Sequence, residues 1–521
     1  MAQVNFAFSD LAELFSIRKE EAIDTLTSLG FPAEEMENGE LTVEVTPNRP
    51  DALCVEGLAR VLRCYKTGQP AGYEVGKPRI DAYSDKSVEG VRPAFGCAVV
   101  RGVKMTDSFL RSLMQVQEKL HETLGRKRRK VAIGIHDLDK VKPPFRYFAC
   151  GREEVRFVPL EMEEKMSPGR ILTEHPKGIA YAHLVGEKCP MIEDSNHDIL
   201  SFPPIINGEL TKLSGSTTNL FIDTTGTSAE AVRQTVNILV SMLAERKGNV
   251  EEVRINGSPY SLLQETAWPL PSAESESLLG VKLASGEIGR LLSKMGHRID
   301  GERIRVPGYR TDIINKVDLI EDVAIAYGFN NFEPKLPDFA SVGARIPESA
   351  CHEAMVGLGY DEVITWNLSN HQMSEKAGLP PGPSAEIENP LTQDFTIFRR
   401  SLIPSLLAVL SESKNEKLPM RIYEIGPVAV PRLEERLGMA SMHPRASFSE
   451  IKGAVMALAE SAGRKADVKP ASLPSFIKGR CAEIYLDGKP SGHFGEISPE
   501  VLASFSLEQP VCAAELKAPY I

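Results

Sequence analysis

The sequence predicts a multidomain α+β protein, built of mixed and antiparallel sheets with packed helices. Three observations carry that expectation. The chain has 521 residues, and at roughly 100–200 residues per domain it holds several cores rather than one. Apolar residues at helical spacing alternate irregularly with short period-two runs, the signature of mixed helix and strand. Pro, Gly and Ser clusters interrupt the chain near residues 67–95, at Trp268-Pro-Leu-Pro-Ser-Ala-Glu-Ser-Glu-Ser277 and from Glu333-Pro-Lys-Leu-Pro337 to Pro347, where linkers are expected. These breaks give domains at 1–85, 86–268, 276–335 and 346–521.

Composition narrows the possible functions. Hydrophobic residues are 42% and charged residues 25%, ordinary values for a folded protein. No run approaches the roughly 18 apolar residues of a membrane helix, and the first residues lack a basic segment followed by an apolar one. A cytoplasmic chain without membrane contact is therefore expected. The net charge of −11 repels phosphate at long range, so any nucleic acid must meet a local basic patch. The eight cysteines are scattered, which suits neither a disulfide framework nor a zinc site. There is no GxxxxGK[ST], GxGxxG, HExxH or GxSxG, so ATP chemistry requires another fold or another chain.

Element by element, the first block reads helix, helix, strand, turn, helix. Ser9 or Asp10 is placed to cap a helix bearing Leu11, Leu14 and Phe15; a second helix runs from Lys19 to Leu29 and stops at Gly30. Leu41–Val45 alternates as a strand. Thr46-Pro-Asn-Arg-Pro-Asp51 follows, its prolines fixing the backbone around polar groups. A surface turn with Asp51 as helix cap is one reading, a binding site the other.

The second block contains Gly125-Arg-Lys-Arg-Arg-Lys130, and residues 121–147 hold eight Lys and Arg against three acids. That is what a phosphate-binding patch looks like, and also what a solvated face looks like. Leu200-Ser-Phe-Pro-Pro-Ile-Ile-Asn-Gly208 and Asn219-Leu-Phe-Ile-Asp-Thr-Thr-Gly-Thr227 each join an apolar run to small polar residues. Ser201, Asn207, Asp223 and Thr225 can thus line one pocket or simply form turns. From Ala229 to Lys247, Val232, Val236, Leu239, Val240 and Leu243 follow helical spacing and read as core.

In the third block, Ile313, Val317, Ile320, Ala324 and Tyr327 form a helical stripe ended by Gly328,. Asp318 precedes Glu321 and Asp322 by three and four residues, so their carboxylates are expected on one exposed face, with Asp312 near the first turn. Oxygen ligands of this kind suit a hard divalent cation such as Mg²⁺; a solvated acidic face is the alternative.

Taken in order, Thr46–Asp51, Gly134-Ile-His-Asp-Leu-Asp139, Pro203-Pro-Ile-Ile-Asn207, Asp223-Thr-Thr-Gly226, Gly308-Tyr-Arg-Thr-Asp312 with Asp318–Asp322, Ile387-Glu-Asn-Pro-Leu391, Phe398-Arg-Arg-Ser-Leu402 and Arg421–Gly426 resemble the β subunit of phenylalanyl-tRNA synthetase. The resemblance spans nearly the whole chain. It favours the archaeal and eukaryotic cytosolic form, because the chain is short for the extra modules of the bacterial form.

That resemblance implies an (αβ)₂ heterotetramer with an α subunit that binds ATP and phenylalanine, and tRNA(Phe) as substrate. It implies an editing domain of B3/B4 type at 86–268, a B5-like domain at 276–335 and a class II synthetase-like domain at 346–521 that lacks an active site. Consistently, Phe398-Arg-Arg-Ser401 has no acid where an fRxE pattern places one. A phenylalanine pocket rejects an added hydroxyl by only ~10², so a second hydrolytic sieve against Tyr-tRNA(Phe) is expected. Carried over motif by motif, Ser201, Asn207, Asp223 and Thr225 form its pocket, and Asp312, Asp318, Glu321 and Asp322 bind Mg²⁺. Asp223 serves as general base or, with no His or Cys expected beside it, as one of several groups orienting water. Two rivals remain: a metal-dependent hydrolase built on the acidic helix face, and a non-catalytic RNA-binding scaffold built on the basic segment.

Overall fold

Alternation at the very start of the chain makes Ala2–Ala7 a strand ahead of the first helix, Phe8–Leu14. Neither Ser9 nor Asp10 caps that helix. Its N-cap is Ala7, without a side-chain bond, because the strand runs directly into it. The helix Lys19–Ser28 and the strand Glu40–Val45, buried at every second residue, follow the sequence reading. The computed structural model describes residues 2–336, 343, 350–413 and 415–517, and the chain divides into two compact units, Met1–Leu336 and Pro337–Ile521. Most of the break expected between Glu333 and Pro347 lies outside the described residues.

The first unit holds two three-stranded sheets and one of ten strands. One continuous core runs from Val4 through Leu58, Leu120, Leu239 and Ile304 to Ala326, so the three segments expected before residue 336 share their apolar interior. The strand Val75–Ser84 falls within the linker expected near 67–95. Gly76 and Pro78 mask its alternation, yet Ile80 and Ala82 are buried. It pairs in parallel with Asn249–Ile255 and with Phe145–Cys150. From end to end the large sheet runs 206–207, 199–202, 189–193, 145–150, 75–84, 249–255, 94–101, 219–226, 131–137, and its tenth strand, 258–259, branches from 249–255. The helix Ala229–Glu245, capped by Ser228, buries Val232, Val236, Leu239, Val240 and Leu243.

The second unit holds a two-stranded sheet, 368–369 with 397–398, and a seven-stranded sheet, 361–362, 420–429, 433–442, 511–517, 489–497, 476–486, 466–470, antiparallel except for its first pair. Period-two alternation gives it two apolar faces. Met439 packs with Ile451, Val455 and Leu458 of the helix Phe448–Ser461. Ala440 packs with Leu406, Leu407 and Leu410 of Ile403–Glu412. None of the eight cysteines is in a disulfide, and all are buried. Among the described residues no helix is long and apolar enough to cross a membrane.

Candidate functional site

The two ends of the ten-stranded sheet meet around a cavity. Ile133, Gly134 and Asp223 come from one end of the strand order; Ser201, Phe202, Ile206 and Asn207 come from the other. The sheet therefore curls until its edges face each other across a space of about 670 Å³, mouth included. The helix Asp107–Glu122 closes one side with Gln117, Glu118 and His121. Gln117 donates to the Ile133 carbonyl at 2.8 Å, and His121 Nε2 accepts the Ile133 N–H at 2.9 Å. Together they satisfy backbone groups that an edge strand would otherwise leave open.

Ser201 and Asn207 are direct cross-strand partners, so both present side chains to one face of the sheet. The Ser201 hydroxyl is buried and has no hydrogen-bond partner, an uncommon state for a buried polar group. Asp223 stands opposite Gly134 in register. A Cβ at residue 134 would overlap Asp223 Oδ2 and come within 2.6 Å of His136 Nε2, so glycine there lets the carboxylate lie against the neighbouring strand.

The structure corrects the expectation that Asp223 has no histidine beside it. His136 lies two residues beyond Gly134, on the same strand face. Its Nε2 is 2.7 Å from Asp223 Oδ2 and its Nδ1 is 2.7 Å from Thr211 Oγ1. The imidazole thus bridges the Asp223 carboxylate and the Thr211 hydroxyl, which also donates to the Gly208 carbonyl at 3.3 Å. An Asp-His-Thr line of this kind resembles a nucleophilic triad, but Thr211 is buried and absent from the cavity wall. It orients the imidazole, which in turn fixes Asp223. Thr225 also differs from expectation. It is buried outside the cavity lining, and its hydroxyl and carbonyl accept from Arg92 Nε and Nη2 at 3.0 and 2.8 Å. Burial lowers the Arg92 pKa to about 10, so the guanidinium stays charged at neutral pH.

The basic run is divided by its fold. Arg128 turns inward and lines the cavity. It donates to Glu118 at 2.8 Å and to the Ile205 carbonyl at 2.9 Å, with the Tyr181 ring 4.6 Å away. Arg126, Lys127 and Arg129 are exposed.

The expected acidic face does not form. The helix Lys316–Tyr327 is capped by Asn315, and Asp318 bends back to accept the Ile314 and Asn315 N–H groups at 2.8 and 2.7 Å. Asp322 is buried against Arg310 and His297, at 2.7 and 2.6 Å. Asp312 takes a forked contact from the same Arg310, and Glu321 is exposed apart from them. Among the described residues no group of three or more His, Cys, Asp or Glu is arranged to hold a metal ion. The donor set does not fit Mg²⁺, because a guanidinium already neutralises two carboxylates and a helix N-terminus engages a third. Of the predicted apolar stripe, Ile313, Ile320 and Ala324 are buried and Tyr327 packs on the core, but Val317 is 52% exposed, and Leu319 and Val323 join the buried side.

Asp51 is neither a cap nor at the surface. Cys54 caps the helix Val55–Thr67, while Asp51 is buried between Arg49 and Arg60. Arg60 in turn lies 4.0 Å from the Tyr309 ring centroid and donates to Ser241 at 3.2 Å. The turn is thus a buried joint within the first unit. In the second unit, Arg399 is buried and paired with Glu424 at 2.7 Å, with Thr365 also at 2.7 Å, which leaves this arginine committed to the protein itself.

Three family profiles match along the chain: a B3/4 domain over residues 94–254, a tRNA synthetase B5 domain over 269–329, and a phenylalanyl tRNA synthetase beta chain CLM domain over 343–518. Together they define a subunit of a heteromeric aminoacyl-tRNA synthetase. The phenylalanine–tRNA ligase beta subunit of Methanothrix thermoacetophila is 39% identical over 99% of both chains. That of Archaeoglobus fulgidus is 41% identical over 99% of this chain and 98% of its own. A crystal structure of an N-terminal fragment of the Pyrococcus horikoshii phenylalanyl-tRNA synthetase beta subunit matches with a TM-score of 0.59 at 35% identity, covering 63% of this chain and 99% of the fragment. The chain belongs to the family of phenylalanine–tRNA ligase beta subunits.

Proposed function

We propose that this chain works with an α subunit, in an (αβ)₂ assembly of the cytoplasm, to attach phenylalanine to tRNA(Phe), and that its own chemistry is hydrolysis of Tyr-tRNA(Phe). The observation that carries the editing reading is the cavity. It joins a carboxylate backed by His136 and Thr211, the Asn207 amide and an unpartnered Ser201 hydroxyl to an apolar floor of Phe202 and Ile206. Such a site suits a tyrosyl ester. The apolar floor takes the ring, and polar groups hold its hydroxyl, because a site built to hydrogen-bond a hydroxyl discriminates against the analogue without one.

Asp223, held by His136, receives the proton of a water that attacks the ester carbonyl, and the departing ribose oxygen takes that proton up. Tyrosine and intact tRNA leave. No step is derived through Mg²⁺ at Asp312, Asp318, Glu321 and Asp322, whose contacts do not fit it. The second unit serves as the packing partner of α. Arg399 is committed internally, and Ile364 and Trp366 are 90% and 78% exposed, an apolar surface that marks a protein contact.

The test uses the assembled enzyme and preformed substrates. It should hydrolyse Tyr-tRNA(Phe) and spare Phe-tRNA(Phe). The pure chain should catalyse no ATP–pyrophosphate exchange until α is added; exchange by the chain alone would sink the division of labour.

A further inference from the structure

The loop Gly125–Lys130 adopts a backbone that its residues ordinarily avoid. Arg126, Lys127 and Arg128 have φ of 48°, 54° and 65°, three successive non-glycine residues in the left-handed region. Such conformations persist only where the surroundings impose them. Here two buried arginines do so. Arg92, anchored on Thr225, donates to the carbonyls of Arg128 and Arg129, at 3.2 Å each. Arg128 ties its own side chain to Glu118 and the Ile205 carbonyl.

The result is a rigid loop beside the cavity. Arg128 and Lys177 both line the cavity, and Lys177 is exposed. Arg126, Lys127 and Arg129 are exposed, and none has an ion-pair partner among the described residues. The wall also holds a buried Arg128 Nε without a hydrogen-bond partner. His121 accepts at Nε2, and its Nδ1 has Glu118 Oε1 at 3.7 Å. In a chain of net charge −11, unpaired cations on a loop whose Arg128 lines the cavity point to an anion that meets the chain there.

We propose that this loop, with Lys177, docks the backbone phosphates of the single-stranded 3′ end of tRNA while the terminal nucleotide presents its aminoacyl ester to the cavity. The proposal rests on the editing reading above. It explains why backbone strain is tolerated here: the left-handed run turns Arg128 inward as an anchor and leaves its neighbours free to meet phosphate. Single-stranded nucleic acid is held by such cationic tracks with a strong salt dependence.

The experiment compares the assembled enzyme with a variant carrying Arg126→Gln, Lys127→Gln and Arg129→Gln, on preformed Tyr-tRNA(Phe) and on tyrosyl-adenosine, which has no phosphate. Three lost phosphate contacts should raise KM for Tyr-tRNA(Phe) about tenfold at low salt. They should also make the slope of log(kcat/KM) against log[salt] shallower by about two, at about 0.7 per contact for a single strand. Tyrosyl-adenosine should be hydrolysed at the parental rate. Arg126→Lys with Arg129→Lys should restore the slope. An unchanged KM and salt slope overturns the dock, as does an equal loss on both substrates, which would show a damaged cavity. Failure of the triple variant to assemble with α also overturns it and assigns the loop to a protein partner. A parental enzyme that hydrolyses neither substrate overturns the editing reading itself, and the dock with it.

Discussion

At residue 134 one hydrogen in place of a methyl group lets Asp223 and His136 approach across neighbouring strands. Gly134→Ala should therefore displace the carboxylate and lower Tyr-tRNA(Phe) deacylation by ~10²–10³, the loss expected for one misplaced polar group at a reacting carbonyl, with phenylalanine charging retained. Deacylation at the parental rate would show that the Asp223–His136 contact is not used. Ser201, Asn207 and Asp223 were legible as small polar residues ending apolar runs. His136 was not, since its contact with Asp223 joins residues 87 apart in the chain through a strand register that local pattern does not fix. Thr225 was misassigned for a related reason. The strand carrying it is buried throughout most of its length, so a side chain two residues from Asp223 meets Arg92 instead of the cavity.

The helix Lys316–Tyr327 shows what spacing conveys and what it conceals. Its existence, its end at Gly328, its carboxylates and most of its apolar stripe were readable, but its start was not. The helix starts only after Asn315, which leaves Ile313 buried in the preceding loop and Val317 exposed. Nor did spacing reveal Arg310 as counter-ion. Asp322→Ala would leave Arg310 with Asp312 as its one carboxylate and take from His297 the carboxylate it bonds, at a cost of about 3 kcal/mol; Asp318→Ala removes a helix-terminal acceptor and should cost about 1 kcal/mol. Urea unfolding in excess chelator measures both. A midpoint that instead collapses on chelation of the parental protein would show that a cation, not Arg310, holds these carboxylates. The same joint sets an acid limit. Burial alone would raise the Asp322 pKa, but Arg310 and His297 reverse this and bring it to about 2, against an ordinary 3.8. Asp51 is likewise lowered, Arg49 overcoming burial. Stability from both is present above pH 4 and is lost as pH falls toward 2, with about 2 kcal/mol from Asp322. The fall in unfolding midpoint between pH 4 and 2.5 should therefore be smaller for Asp322→Asn than for the parental protein.

For the whole molecule, composition and the order of motifs were enough to give a multidomain α+β chain, but not the joining of its first three segments through one core. The curl of the ten-stranded sheet was beyond sequence pattern too, because it depends on pairing between strands far apart in the chain, two of them in parallel with Val75–Ser84. That curl is what brings Asn207 and Asp223, from opposite ends of the strand order, to one cavity. The editing reading stands on this meeting. It is tested most directly by the deacylation rate of preformed Tyr-tRNA(Phe) in assembled enzymes carrying Asn207→Ala or Asp223→Ala, measured beside their rates of phenylalanine charging. The account predicts that each variant loses ~10²–10³ in deacylation, equivalent to ~2.7–4 kcal/mol, while charging stays near the parental rate. Parental deacylation by both variants would contradict it and leave these residues a structural role alone.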